Sequence, residues 1–370
     1  MKNNPKALYV HIPFCNHLCD YCDFCKMQYI PKFADDYLNA LKIEIDSYQI
    51  KEVKTIYVGG GTPTSLNCKQ LEFLLQILQP YNKKGVEYTF EANVETLNKE
   101  KLLLLKKYHV NRLSIGVEST DNEILKSINR HHSYEDVKLA MKLCREVGFD
   151  NINLDLILGL PNSNLDILRL DLSNLLALNP QHISTYSLLV NPNTKFFLNN
   201  VQEMNQDDAR AEYDIVDKTL TDAGFIHYEV SNFGKPSYFS KHNFIYWNDE
   251  EYYGVGLGAS GYINGIRYVN TRSINAYINH KFLLEQEKVE QQDDLIYYLM
   301  LRLRTINGID IEEFKAKFGD DILIKCPKTI GKNIKNNILS IKDGRIIPSY
   351  EAMMIMDTIV LDLLNEYDKR

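Results

Sequence analysis

No run of about 18 apolar residues, the length a membrane-spanning helix needs, occurs anywhere in the 370-residue sequence. The best candidates, residues 102–105 and 352–364, are too short or are broken by charge, so a membrane span is not expected. A cationic surplus is missing too: Lys and Arg number 42 against 49 Asp and Glu, a net charge of −7. With no basic field to meet a phosphate backbone, nucleic acid is excluded as the first-choice partner. Glycine and proline are sparse at 18 and 11, which rules out collagen-like and wholly disordered classes. No signal-peptide core forms after the polar start, because His11 and Pro13 interrupt the first apolar stretch. A disulfide framework is also absent, since the 7 cysteines are odd in number and Cys15, Cys19, Cys22 and Cys25 crowd into one loop. A reducing, cytoplasmic setting is the expectation.

What is present is a repeating alternation of strand-like and helix-like segments. Strand patterns fall at residues 8–12, 55–58, 88–91, 112–116, 152–156 and 183–187. Helical spacing marks 33–48, 69–78, 98–108, 134–147 and 165–178. Strands separated by helices predict an α/β fold with a parallel sheet. Right-handed crossovers repeated in one sense close it toward an incomplete (β/α)6 barrel, with an open doubly wound sheet as the alternative. The unusual residues fall at or near carboxyl ends of these strands: the cysteines, Gly59-Gly60-Gly61-Thr62-Pro63-Thr64, Glu91, Glu118, Asp155 and Tyr186. A barrel gathers those ends on one face, where active sites are built. The predicted domains are a barrel core over 1–190, an aromatic and glycine-rich extension over 191–290, and a small accessory domain over 291–370. That last domain is expected to be helices plus one turn at Asp343-Gly344, with its boundary in the polar segment 285–294.

Cys15, Cys19 and Cys22 have the spacing C-x3-C-x2-C. Three thiolates on one short loop can reach three corners of an iron–sulfur cube and leave one iron open. Zinc would need a fourth ligand, which Cys25 or His17 could supply, and the spacing alone leaves that alternative standing.

The stretch Leu8-Tyr9-Val10-His11-Ile12-Pro13-Phe14-Cys15, continued by Cys19-Asp20-Tyr21-Cys22-Asp23-Phe24, resembles the radical S-adenosylmethionine (SAM) superfamily. Within it the sequence is similar to oxygen-independent coproporphyrinogen III oxidases and to HemW-type haem chaperones. The resemblance implies a [4Fe–4S] cluster on Cys15, Cys19 and Cys22, whose open iron takes the amino and carboxylate groups of S-adenosylmethionine. One electron from a donor partner then cleaves that cofactor to a 5′-deoxyadenosyl radical. It further implies cofactor contacts by Tyr9, Tyr21, Gly60, Gly61, Thr62, Glu91, Glu118, Arg130 and Asp155. Position 118 departs from the family, which has Gln in Gly-Val-Gln-Ser; Glu keeps the acceptors and loses the donor.

Two features separate the branches. The oxidases carry a fourth cysteine two residues past the third, where this sequence has Phe24; Cys25 lies one residue further and does not inherit that role. Conversely, His242-Asn243-Phe244-Ile245-Tyr246-Trp247 resembles the haem-associated motif of the chaperones. It implies haem contacts by His242, Tyr246 and Trp247, the imidazole as iron ligand and the aromatics as a flat surface. Ser260 stands where relatives place a histidine. Leu301-Arg302-Leu303-Arg304 and Gly308-Ile309-Asp310 resemble the family's C-terminal domain. The implied function is binding haem and delivering it to haem proteins, with porphyrinogen decarboxylation as the alternative. Oligomeric state, a homodimer included, is left open.

Overall fold

The computed structural model describes residues 4–368. Its strands β1 (Ala7–Ile12), β2 (Thr55–Gly60), β3 (Glu87–Asn93), β4 (Arg112–Glu118), β5 (Ile152–Leu158) and β6 (His182–Ser187) carry the predicted pattern. Each pairs in parallel with the next along the chain. A doubly wound sheet would reverse that order at a switch point. An unbroken succession is the winding of a barrel, and the doubly wound alternative is excluded.

Helices α1 (Pro31–Ser47), α2 (Cys68–Leu78), α3 (Lys99–Lys107), α4 (Asn122–Ser127), α5 (Tyr134–Glu146) and α6 (Leu165–Ala177) fill the crossovers. Their starts follow local chemistry. Asn67 with Gln70 and Ser133 with Asp136 form reciprocal capping boxes, and Asn98, Asp121 and Asn164 accept from the first-turn amides.

Along every strand, apolar and polar positions alternate. Leu8, Val10, Ile56, Val58, Phe90, Leu113, Ile115, Leu154, Leu156 and Ile183 face the helices and form one buried cluster with Leu38, Leu41, Leu74, Leu102, Val137 and Leu172. The intervening Tyr9, His11, Thr55, Tyr57, Thr89, Glu91, Arg112, Ser114, Asn153, Asp155, His182 and Ser184 share the opposite face. Many α/β barrels fill this interior with branched aliphatics. Here it is a polar lumen.

The glycine-rich extension adds to the sheet, a feature the sequence reading left unassigned. A short strand β7 (Asn232–Gly234) runs antiparallel beside β6, and β8 (Tyr252–Val255) runs parallel to β1 on the other flank. Strands β9 (Ser260–Ile263) and β10 (Ile266–Asn270) then continue outward as a hairpin.

Glu44 of α1 pins this extension in place. It is buried, and it accepts hydrogen bonds from Gly256 N–H at 2.8 Å, Asn270 Nδ2 at 2.6 Å and the Tyr277 hydroxyl. Burial outweighs these donors and lifts the carboxyl to about 7. A raised folded value favours the native state below the unfolded pKa, and the advantage disappears as pH climbs through the folded one. Unfolding measurements on the wild type should therefore show about 3 kcal/mol lost between pH 4.5 and 7 through this group. The Glu44→Gln variant should lose that share of the slope; identical pH profiles for the two proteins would contradict it.

The chain divides into two compact units. The first runs to Ile226 and includes Ser231–His242 and Glu251–Glu287; the second comprises His227–Val230, Asn243–Glu250 and everything from Lys288 onward. The second unit has its own core of Leu295, Tyr298, Leu299, Phe314, Phe318, Ile330 and Ile359. It is not purely helical. Ile309–Asp310, Leu339–Lys342 and Arg345–Pro348 form a three-stranded sheet. The turn at Asp343-Gly344 closes a hairpin with positive φ at both residues (50° and 74°), the geometry of a two-residue type I′ connection. The uneven pattern over 347–364 is a strand end followed by helices Tyr350–Met354 and Met356–Tyr367.

Candidate cofactor site

The cysteine loop leaves β1 through Pro13 and is tied at its base. Phe14–Cys15 pairs with Met27–Gln28, and Met27 and Tyr29 N–H groups donate to Pro13 and Cys15 carbonyls at 2.7 and 2.8 Å. Further along, Asn129 Nδ2 holds the Leu18 carbonyl at 2.8 Å and Lys195 pairs with Asp20 at 2.9 Å. Cys15 is buried, while Cys19 and Cys22 are half-buried. Burial pushes the Cys15 thiol up to about 12, and the neighbouring Cys22 and Cys19 push in the same direction. Thiols crowded this way resist ionising together unless a positive group compensates them, the donor set an iron–sulfur cluster requires.

The glycine-rich loop after β2 fits against these groups because it has no side chains. A Cβ at Gly59 would lie 2.7 Å from the Glu91 carboxylate, and one at Gly61 would lie 2.9 Å from Cys15 Sγ. With hydrogen there instead, Gly60 N–H donates to Glu91 Oε2 at 3.0 Å and the Thr62 hydroxyl lies 3.8 Å from Cys15 Sγ. The cradle thus brings backbone donors, a carboxylate and a cluster thiol together.

Three carboxylates share the lumen. Glu91 accepts from the Tyr57 hydroxyl at 2.7 Å, and Asp155 from Asn153 Nδ2 at 2.6 Å. Burial first, then Glu118 and Glu91, raises Asp155 to about 8; burial, with Glu118 adding, also raises Glu91. Burial and the neighbouring acids thus discourage ionisation of Glu91 and Asp155 and favour a cationic ligand that relieves the repulsion. S-adenosylmethionine, with its sulfonium and ammonium, has that chemistry.

Glu118 is reached by a bulge. The β4–β5 register shifts between Gly116 and Glu118, and Glu118 has φ +68°, which re-aims its side chain. It pairs with Arg130 at 3.4 Å and accepts from Tyr186 at 3.1 Å. Arg130 also donates to the Gly116 carbonyl and points Nη1 at Cys19 Sγ, 3.6 Å away. The acid that departs from the family pattern therefore engages Arg130, itself one of the expected cofactor contacts. Tyr21, half-buried, has Glu118, Arg130 and Cys19 among its neighbours.

Strand alternation also brings His11, which motif reading passed over, to the lumen face beside Tyr9. Tyr9 reaches His11 Nδ1 at 3.0 Å, and His11 Nε2 reaches the Cys25 carbonyl at 2.7 Å. A carbonyl only accepts, so Nε2 holds the proton and Nδ1 accepts from Tyr9. Burial depresses His11 to about 4, which keeps this arrangement neutral. Cys25 thus anchors the loop through its backbone; its half-buried thiol is pushed up by burial, and Phe24 is 65% exposed.

The haem-associated motif is divided between the two units. His242 lies in the first unit, while Tyr246 and Trp247 lie in the second. The His242 ring is 1% exposed, with Nδ1 2.7 Å from the Thr55 hydroxyl and its centroid 5.0 Å from that of Tyr57. Its backbone N–H donates to Glu87 at 3.0 Å. Thr55 and Glu87 open β2 and β3, so the buried His242 closes the amino end of the lumen, opposite the cysteines. Trp247 is half-buried, with its indole N–H lacking a partner.

A three-cysteine loop, a glycine cradle and a carboxylate-lined lumen at the carboxyl ends of a partial barrel define a class, and residues 9–171 match the radical SAM superfamily. That membership implies a [4Fe–4S] cluster and S-adenosylmethionine as cofactors. Residues 289–355 match the HemN C-terminal domain. The sequence is 37% identical to heme chaperone HemW of Lactococcus lactis subsp. lactis (strain IL1403) over 86% of each chain. It is 35% identical to heme chaperone HemW of Bacillus subtilis (strain 168), covering 98% of this chain and 100% of the relative. The chain belongs to the HemW family of radical SAM proteins. In fold it is similar to coproporphyrinogen III oxidase (HemN) from Escherichia coli, with a TM-score of 0.84 over 97% of this chain and 90% of that one, at 21% identity. No helix among the described residues is long and apolar enough to cross a membrane.

Proposed function

We propose that this protein binds haem and hands it to haem proteins, and that it carries a [4Fe–4S] cluster on Cys15, Cys19 and Cys22 beside S-adenosylmethionine. The observation that carries the reading is the similarity to named haem chaperones along nearly the whole chain. Phe24 at the place of the oxidases' fourth cysteine favours it over porphyrinogen decarboxylation. The cluster, when bound, supplies one-electron chemistry. This chain's residues do the rest: Gly60, Gly61 and Thr62 admit the methionine end, and Glu91 and Asp155 offer acceptors to the ammonium and ribose. Arg130 balances Glu118, while Tyr9 and Tyr21 wall the lumen.

Anaerobic reconstitution followed by paired assays tests this. Haem should bind with a shifted Soret band and transfer to an apo-haem protein, without 5′-deoxyadenosine released in step with porphyrinogen decarboxylation. Stoichiometric coupling of those two products would instead establish the oxidase reading.

The cofactor contacts make a further prediction. Removing the Asp155 carboxylate with Asp155→Ala should weaken S-adenosylmethionine binding by about 1.5–3 kcal/mol, roughly ten- to a hundredfold. Glu118→Gln should tighten it, since Arg130 regains a free charge. Calorimetric titration of the reconstituted protein reads both, and weaker binding by Glu118→Gln would show that the acid itself holds the cofactor.

A further inference from the structure

Near the floor of the lumen, two buried polar groups stand without partners. Arg112, the first residue of β4, is 2% exposed, and its Nε has no hydrogen-bond partner; the fully buried Thr89 hydroxyl has none either. They are direct register partners on β3 and β4, and alternation sends both to the lumen face, one step below Glu91 and Ser114. Arg130 is the guanidinium that pairs with Glu118. Arg112 has no ion pair of its own among the described residues.

Its charge reaches Glu91 and Asp155, higher in the lumen, without an ion pair to either. His182 and His242 are held uncharged by burial, with the Arg112 charge adding to that effect. Glu91 and Asp155, higher in the lumen, are pushed toward their protonated forms by burial. A buried guanidinium with no directly paired carboxylate and an unmet Nε is costly, and an unmet hydroxyl beside it adds to the cost.

We propose that the lumen floor binds one compact monovalent anion, a halide or a formate-sized carboxylate, held by Arg112 and Thr89. A single guanidinium matches a single charge. A dianion such as phosphate would confront Glu91 and Asp155 above it. A large organic acid has no route past the His242 ring, which closes the floor against Thr55 and Tyr57.

The full chain, exchanged into gluconate buffer, is titrated separately with sodium bromide and sodium formate while thermal unfolding is followed. Crystals grown with bromide are examined for anomalous scattering. The expected result is a saturable rise in melting temperature with one or both anions and a bromide peak beside Arg112 and Thr89. Binding should vanish in Arg112→Met and weaken several-fold in Thr89→Val, which keeps the charge and serves alone should the first variant fail to fold. Melting that is insensitive to both anions, or that shifts equally in wild type and variants, would overturn the proposal. So would crystals with only water at the floor.

Discussion

A Cys19→Ser protein should emerge from anaerobic reconstitution with almost no iron or sulfide, where the wild type approaches about four of each per chain. This should happen without unfolding. Cys19 is half-buried on a loop held by neighbouring backbone and side-chain bonds, and a hydroxyl there can meet water and Arg130. Cys15 is a less discriminating site, because it is buried and a serine there would also disturb packing against Gly61. Cys25→Ser provides the counter-test. Its carbonyl, not its thiol, is engaged by His11, so the cluster should persist. Retention of one zinc per chain, lost in Cys25→Ser, would replace the cluster with a four-ligand zinc site.

The residues that fold the barrel were legible because each strand and helix signal is local: apolar alternation, an Asn or Ser cap, a spacing that a crossover helix fills. The cysteine spacing and triple glycine were legible for the same reason. What escaped was information held between strands. Thr89 and Arg112 read as ordinary strand positions until the β3–β4 register sets them side by side. The same is true of Tyr57 with Glu91 and of Asn153 with His182, 2.5 Å from ring nitrogen to amide oxygen. Alternation was visible in the sequence, but only closure of the sheet turns its polar half into an interior. The small sheet of the second unit was hidden for a related reason. Its strands, Ile309–Asp310, Leu339–Lys342 and Arg345–Pro348, are too short to print a pattern, and only the Asp-Gly turn betrays them.

His242 is where motif and physics part most sharply, and its alanine variant separates them. Substitution removes the partner of the Thr55 hydroxyl and the ring packed on Tyr57, leaving a cavity at the closed end of the lumen. Losses of that kind sum to about 2–4 kcal/mol. The backbone bond to Glu87 survives, so the protein should fold but melt earlier. The acid limb should change as well. Burial depresses His242 to about 3, so below pH 6.5 the unfolded chain takes up a proton that the native state refuses, and stability falls with falling pH. His11 and His182, also depressed by burial, share that limb. Removing one imidazole should make it shallower by up to about 1.4 kcal/mol per pH unit. Haem affinity and the Soret band should be unaltered in the folded variant, with Trp247 fluorescence still reporting haem addition. The opposite pattern, wild-type melting with a lost Soret shift, would restore His242 as the iron ligand and require its ring to leave the Thr55 pocket when haem binds.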